Sequence, residues 1–168
     1  MRYTPAALAL SLAFALNASA SYSAPPMPLD PHAAALEAKG RTAQAAGQYD
    51  AAIDAYEAAL AVQPGNSVFY LDLAAAERQQ GMQGKALHLY RLVLASDPQN
   101  LTAIAGEGSA LAEKGALEKA RRNLAQLQSL CGGSCPQALQ LAAAITKGPA
   151  PQMVSAEAIK PQPVVSAN

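Results

Sequence analysis

A period of 34 residues runs through the middle of this chain and constrains its fold more than any other feature. Gly47, Gly81 and Gly115 stand 34 apart, and so do Ala52, Ala86 and Ala120. Leu36, Tyr70 and Ile104 repeat an apolar group at the same interval, and Gly40, Ala74 and Gly108 follow them with a small one. Tyr56, Tyr90 and Leu124 keep the register, as do Ala59, Val93 and Leu127. Pro64 and Pro98 close the first two units, in "VQPGN" and "SDPQN". Self-similarity at such a period marks stacked supersecondary units, none of which can bury its apolar face alone.

The physics of one unit is readable from its residues. A large residue followed four positions later by a small one lets two antiparallel helices approach closely. The glycine after the first helix provides a left-handed turn without a Cβ penalty. The second helix of the first unit reads "YDAAIDAYEAALAV", with Ala52, Ile53, Tyr56, Ala59 and Leu60 at helical spacing. The prolines then end that helix and start the next unit. An alanine-rich composition with no Trp favours helices over strands.

At these residues the chain resembles the tetratricopeptide repeat (TPR) family, whose 34-residue pattern sets a large residue, a small one, Ala, an aromatic and Pro at fixed places. Unit 33–66 matches at Leu36, Gly40, Gly47, Ala52, Tyr56, Ala59 and Pro64. Unit 67–100 matches at Tyr70, Leu73, Ala74, Gly81, Ala86, Tyr90 and Pro98. Unit 101–134 matches at Ile104, Gly108, Leu111, Gly115, Ala120, Leu124 and Leu127. Lys39, Ala43, Glu77 and Glu107 depart from the pattern at usually apolar positions, and Arg121 replaces an aliphatic. The resemblance implies an all-α fold, a right-handed α-solenoid of three helix-turn-helix units. A terminal helix must then cap the stack. Residues 135–147 suit that role, with Pro136 in the first turn, Lys147 at the C-terminal dipole and Gly148 beyond it.

The resemblance also implies a function: a non-enzymatic scaffold or adaptor holding a peptide or partner helix in a concave groove. In the TPR register the first helix points Glu37, Arg41 and Gln44 inward. The second unit adds Val68, Leu71, Ala75, Arg78 and Gln79, and the third Thr102, Ser109 and Glu113. Arg41 and Arg78 are candidates to pair with carboxylates of a partner. Chaperone-binding members of the family clamp a terminal carboxylate with Lys, Asn and Arg. Glu37, Asp72 and Gly106 stand at those places here, so that clamp is not expected.

The N-terminus points to export. A basic start at Arg2 precedes the apolar run "AALALSLAFAL" and the small-x-small pattern Ala18-Ser19-Ala20, the form of a secretory signal peptide. Cleavage after Ala20 is expected, with Ala24 the weaker site because Pro25 would follow the cut. The expected location is the periplasm or the outside of a bacterial cell. Residues 21–32 read as a Pro-rich linker and 148–168 as a disordered Pro-rich tail. No segment after the signal is long and apolar enough to span a membrane. Without Arg2 the chain holds 11 basic and 12 acidic residues, a balance that argues against nucleic acid as a partner.

Nothing in the sequence suggests catalysis. His32 and His88 lie far apart in the register, and no Ser-His-Asp, paired-carboxylate or phosphate-cradling arrangement is visible. No cofactor is expected. The remaining feature is "CGGSC", which holds the only two cysteines, Cys131 and Cys135. A metal site would need about four ligands at short spacings, and no third or fourth stands nearby. A dithiol enzyme favours two intervening residues, whereas three stand here. A staple fits an oxidising compartment, and the expectation is a disulfide that replaces the missing proline and pins the cap. Two other functional readings stay open: a periplasmic thiol-disulfide redox protein, and a structural spacer that forms a homo-oligomer.

Overall fold

A computed structural model describes residues 28–149. The signal peptide, residues 21–27 of the linker and residues 150–168 of the tail lie outside the described residues. Seven helices follow one another there: α1 (Pro31–Ala45), α2 (Tyr49–Val62), α3 (Ser67–Gln79), α4 (Gln83–Ser96), α5 (Leu101–Glu113), α6 (Leu117–Cys131) and α7 (Pro136–Lys147). Each helix packs on its successor, and the odd-numbered helices also touch along a second row, α1 on α3, α3 on α5 and α5 on α7. The result is an all-α solenoid of three hairpins and a terminal helix.

Local chemistry sets these boundaries. Asp30 accepts hydrogen bonds from the amides of His32 and Ala33, Asn66 from Val68 and Asn100 from Ala103. Such caps satisfy amides that a helix start leaves without partners. Pro31 and His32, assigned to the linker from sequence, are the first residues of α1. Asp30 caps that helix, and proline suits its first position. The N-cap residues of the second helices, Gln48, Met82 and Ala116, make no side-chain cap bond. Those helices rely on packing.

The three turn glycines have positive φ, 73° at Gly47, 89° at Gly81 and 80° at Gly115. Behind each, one amide reaches back five residues: Gln48 to the Ala43 carbonyl at 2.9 Å, Met82 to Glu77 at 2.8 Å, Ala116 to Leu111 at 2.9 Å. One turn geometry thus recurs three times and aims each second helix alike.

Burial follows the 34-residue register. Ala52, Ala86 and Ala120 are fully buried, and so are Ala59, Leu127 and Tyr56. A Cβ on Gly40 would lie 2.5 Å from the Tyr56 ring, so the glycine is needed for that contact. The departures sort by environment. Lys39 and Arg121 are exposed. Ala43 joins the core beside Tyr56. Glu107 pairs with Arg91 at 2.8 Å and accepts from Asn123 at 3.1 Å. Glu77, alone among the described residues, is a buried acid without such a partner.

Candidate functional site

The odd-numbered helices line the inner face of the solenoid, and polar bridges link them. Arg41 on α1 reaches Glu37 Oε1 at 2.6 Å and Asp72 Oδ2 of α3 at 3.2 Å. Gln44 donates to Gln79 Oε1 at 2.8 Å and accepts from the Tyr56 hydroxyl at 2.8 Å. Arg78 of α3 forms an ion pair with Glu113 of α5. Arg78 Nε and Glu113 Oε2 are left without partners.

Two carboxylates therefore face one guanidinium at the α1–α3 step. Burial raises the pKa of Glu37 above its ordinary value, and the neighbouring Asp72 adds to the rise while Arg41 opposes it. Asp72 in turn raises the Arg41 pKa. Tyr56 is pushed up to about 12, chiefly by burial. Burial raises Tyr90 as well, against the pull of Arg78.

Between α3, α5 and α7 the face deepens into a cavity of about 170 Å³. Leu71, Ala75 and Tyr90 give it apolar surface, and Asp72, Arg78, Gln137 and Gln140 give it hydrogen-bonding capacity. Gly106 forms part of the wall, and a Cβ there would meet the Tyr90 ring at 2.3 Å. That backbone approach lets a side chain from the outer row reach the inner face. It leaves no room for a longer residue.

The sequence-selected residues divide accordingly. Leu71, Ala75, Arg78 and Thr102 meet at the cavity, and Glu113 pairs with Arg78. Glu37, Arg41, Gln44 and Gln79 are joined to one another or to α3 in the bridges. Val68 is 45% exposed and stands outside the cavity lining. Ser109 does not belong to an open groove: it is 2% exposed, and its hydroxyl has no partner. The physical reason lies in the terminal helix. Ala138 and Leu141 of α7 pack against Ala105 and Ile104 of α5, roofing the face that the register left open. Sequence reasoning missed Gln137 and Gln140 for the same reason, having treated α7 only as a cap. The signal was present: Ala138, Leu141 and Ile145 form one apolar stripe, and the glutamines flank it.

Cys131 and Cys135 are bonded across the turn between α6 and α7, with Cα atoms 5.9 Å apart. Cys135 is the N-cap residue of α7 and makes no side-chain cap bond. Among the described residues, no group of three or more His, Cys, Asp or Glu is placed to hold a metal ion. No described helix is long and apolar enough to cross a membrane.

No protein-family model and no curated protein matches the sequence. Solved structures do match the fold. The Sgt2 TPR domain from Aspergillus fumigatus is similar at 25% identity and a TM-score of 0.63, covering 76% of this chain and 91% of that one. The first TPR of Spaghetti (RPAP3), bound to the HSP90 peptide SRMEEVD, is similar at 24% identity and 0.61, over 69% and 91%. This chain has the TPR fold. A third similar structure is the Yersinia enterocolitica type III secretion chaperone SycD in complex with a peptide of the translocator YopD. It shows 20% identity and a TM-score of 0.59, over 68% and 89%. On this scaffold the inner face carries the bridges between successive odd-numbered helices and the α3–α5–α7 cavity.

Proposed function

We propose that this TPR chain is a protein-interaction adaptor that holds an extended peptide segment along its inner face. The observation that carries the reading is the cavity between α3, α5 and α7. It combines an apolar floor with donors and acceptors at Asp72, Arg78, Gln137 and Gln140. Such a surface suits an unfolded segment, whose main chain needs partners and whose side chains need pockets. The solved neighbours that hold peptides support the same reading.

The charge of the face narrows the guest. Glu37 and Asp72 share Arg41, and Arg78 is matched by Glu113. One negative charge is left over at the α1–α3 step, so that step favours an apolar or basic segment over an acidic chain end. We place this adaptor outside the cytoplasm of a bacterium, in the cell envelope, on the strength of the leader-like N-terminus.

A photo-crosslinking residue at Thr102, exposed on α5 beside the cavity, tests the groove. In the native host it should capture a discrete partner that is lost when Ala75→Arg fills the cavity. An adduct pattern identical in the Ala75→Arg variant, or the same from an outer position such as Arg122, would count against the groove.

A further inference from the structure

Glu77 is the one acid of the stack that packing alone does not justify. Its register mates are Ala43 in the first unit and Leu111 in the third, both buried and apolar. At the same place the second unit buries a carboxylate to 5% exposure, with Oε2 unpartnered. Burying an unpaired charge costs several kcal/mol or forces a proton onto it. A leucine of the kind present at position 111 would satisfy the fold better.

Glu77 also lines a cavity of about 480 Å³ among α2, α3 and α4, and is the only contribution from α3. Glu57 of α2 stands in the same lining, with Gly84, Lys85, His88 and Leu89 of α4. The cavity belongs to the outer row, and it shares no lining residue with the cavity of the inner face. Lys85 and His88 are exposed, and among the described ion pairs none joins Lys85 to either glutamate. Two carboxylates and one lysine leave a net negative charge around the opening. Gly84 adds no side chain there: a Cβ on it would meet nothing within 4 Å.

We propose that this outer cleft is a second binding site, and that it receives the guanidinium of an arginine side chain from a protein partner. Glu77 is the inner acceptor, Glu57 the outer one, and Leu89 the apolar wall for the arginine stem. A planar guanidinium offers several donors in a fixed fork and sheds water more readily than an ammonium, which suits a deep carboxylate flanked by a second. The partner's arginine supplies the direct ion pair that Lys85, although its charge reaches Glu77, does not make.

The test uses the full chain with its disulfide intact and amide NMR. The probe is Nα-acetyl-arginine N-methylamide, with the neutral citrulline analogue as control. The arginine probe should give saturable shifts at the amides of Glu57, Glu77, Gly84 and Leu89, and the citrulline probe none. Glu77→Gln should weaken binding by about tenfold, the loss of one charged hydrogen bond. Glu57→Gln, at an exposed position that folding does not need, should weaken it by a smaller factor. The proposal fails if no localised shifts appear, if citrulline produces the same shifts, or if both variants bind the arginine probe as the wild type does. Shifts confined to Leu71, Thr102 and Gly106 would also overturn it, because they would place the arginine in the inner groove.

Discussion

At the scale of single residues, glycines set against a side chain of a neighbouring helix govern how closely the helices lie. Gly40 lets the Tyr56 ring sit against the α1 backbone, where an added Cβ would come within 2.5 Å of it. Gly106 does the same for Tyr90 on α5. Alanine ordinarily favours a helix interior over glycine by about 1 kcal/mol. At the first contact Tyr56 is fully buried and its hydroxyl is tied to Gln44, so the ring cannot yield cheaply. Overpacking costs about 1–3 kcal/mol and outweighs the propensity gain. Gly40→Ala should therefore lower the urea midpoint, and an unchanged or higher midpoint would refute the contact.

Glu77 makes a second residue-scale prediction. Burial raises its pKa above the ordinary 4.5, with Glu57 adding to the rise and Lys85 opposing it. The folded chain then holds the proton more tightly than the unfolded chain. Its contribution is most favourable below pH 4.5 and is lost as pH climbs through the higher folded value. Glu77→Gln should be more stable than the wild type at about pH 8, with the difference shrinking towards about pH 4. Parallel stability curves across that range would remove the assignment.

At the scale of helices, the turn before α7 carries the sharpest expectation. Closing so small a ring contributes roughly 2 kcal/mol through the unfolded state. Cys131→Ser loses that contribution outright. Cys135→Ser loses the same bridge but places a hydroxyl at an N-cap that now makes no side-chain bond, which returns about 1 kcal/mol. Urea unfolding should rank the variants with Cys131→Ser the less stable. Equal midpoints would mean that the introduced hydroxyl does not cap α7.

The helices themselves were legible because the 34-residue period repeats both the turn glycine and the small residue that admits a ring. Register alone placed most inner-face positions, among them Leu71, Ala75, Arg78 and Thr102 at the cavity and Glu113 at Arg78. Legibility stopped at Val68 and Ser109. Whether Ser109 faces water depends on where α7 lands, and that is a tertiary packing outcome with no local signature. Glu77 was visible as a departure from the pattern. Its fate, buried without a partner rather than turned outward like Lys39, depends on the neighbouring helices α2 and α4.

At the scale of the whole molecule, stability is distributed along a line, because each hairpin touches only its neighbours. The two ends differ. Among the described residues α1 packs on α2 and α3 alone, whereas α7 is both packed on α5 and α6 and bonded through Cys135. Hydrogen exchange should show the strongest protection in α3 to α5 and an earlier loss at α1 than at α7. Reduction of the disulfide should abolish that asymmetry. Uniform exchange across all seven helices would indicate a single cooperative unit instead.

The bridges of the inner face have one more consequence. Arg41 to Asp72, Gln44 to Gln79 and Arg78 to Glu113 each leave one odd-numbered helix and land on the next, 31 to 35 residues on. They act as rungs that fix the spacing of successive coils. A guest that recruits Arg41 or Arg78 must unfasten a rung to do so. Where a rung is missing, that step loses one of the contacts that hold neighbouring coils at a fixed spacing.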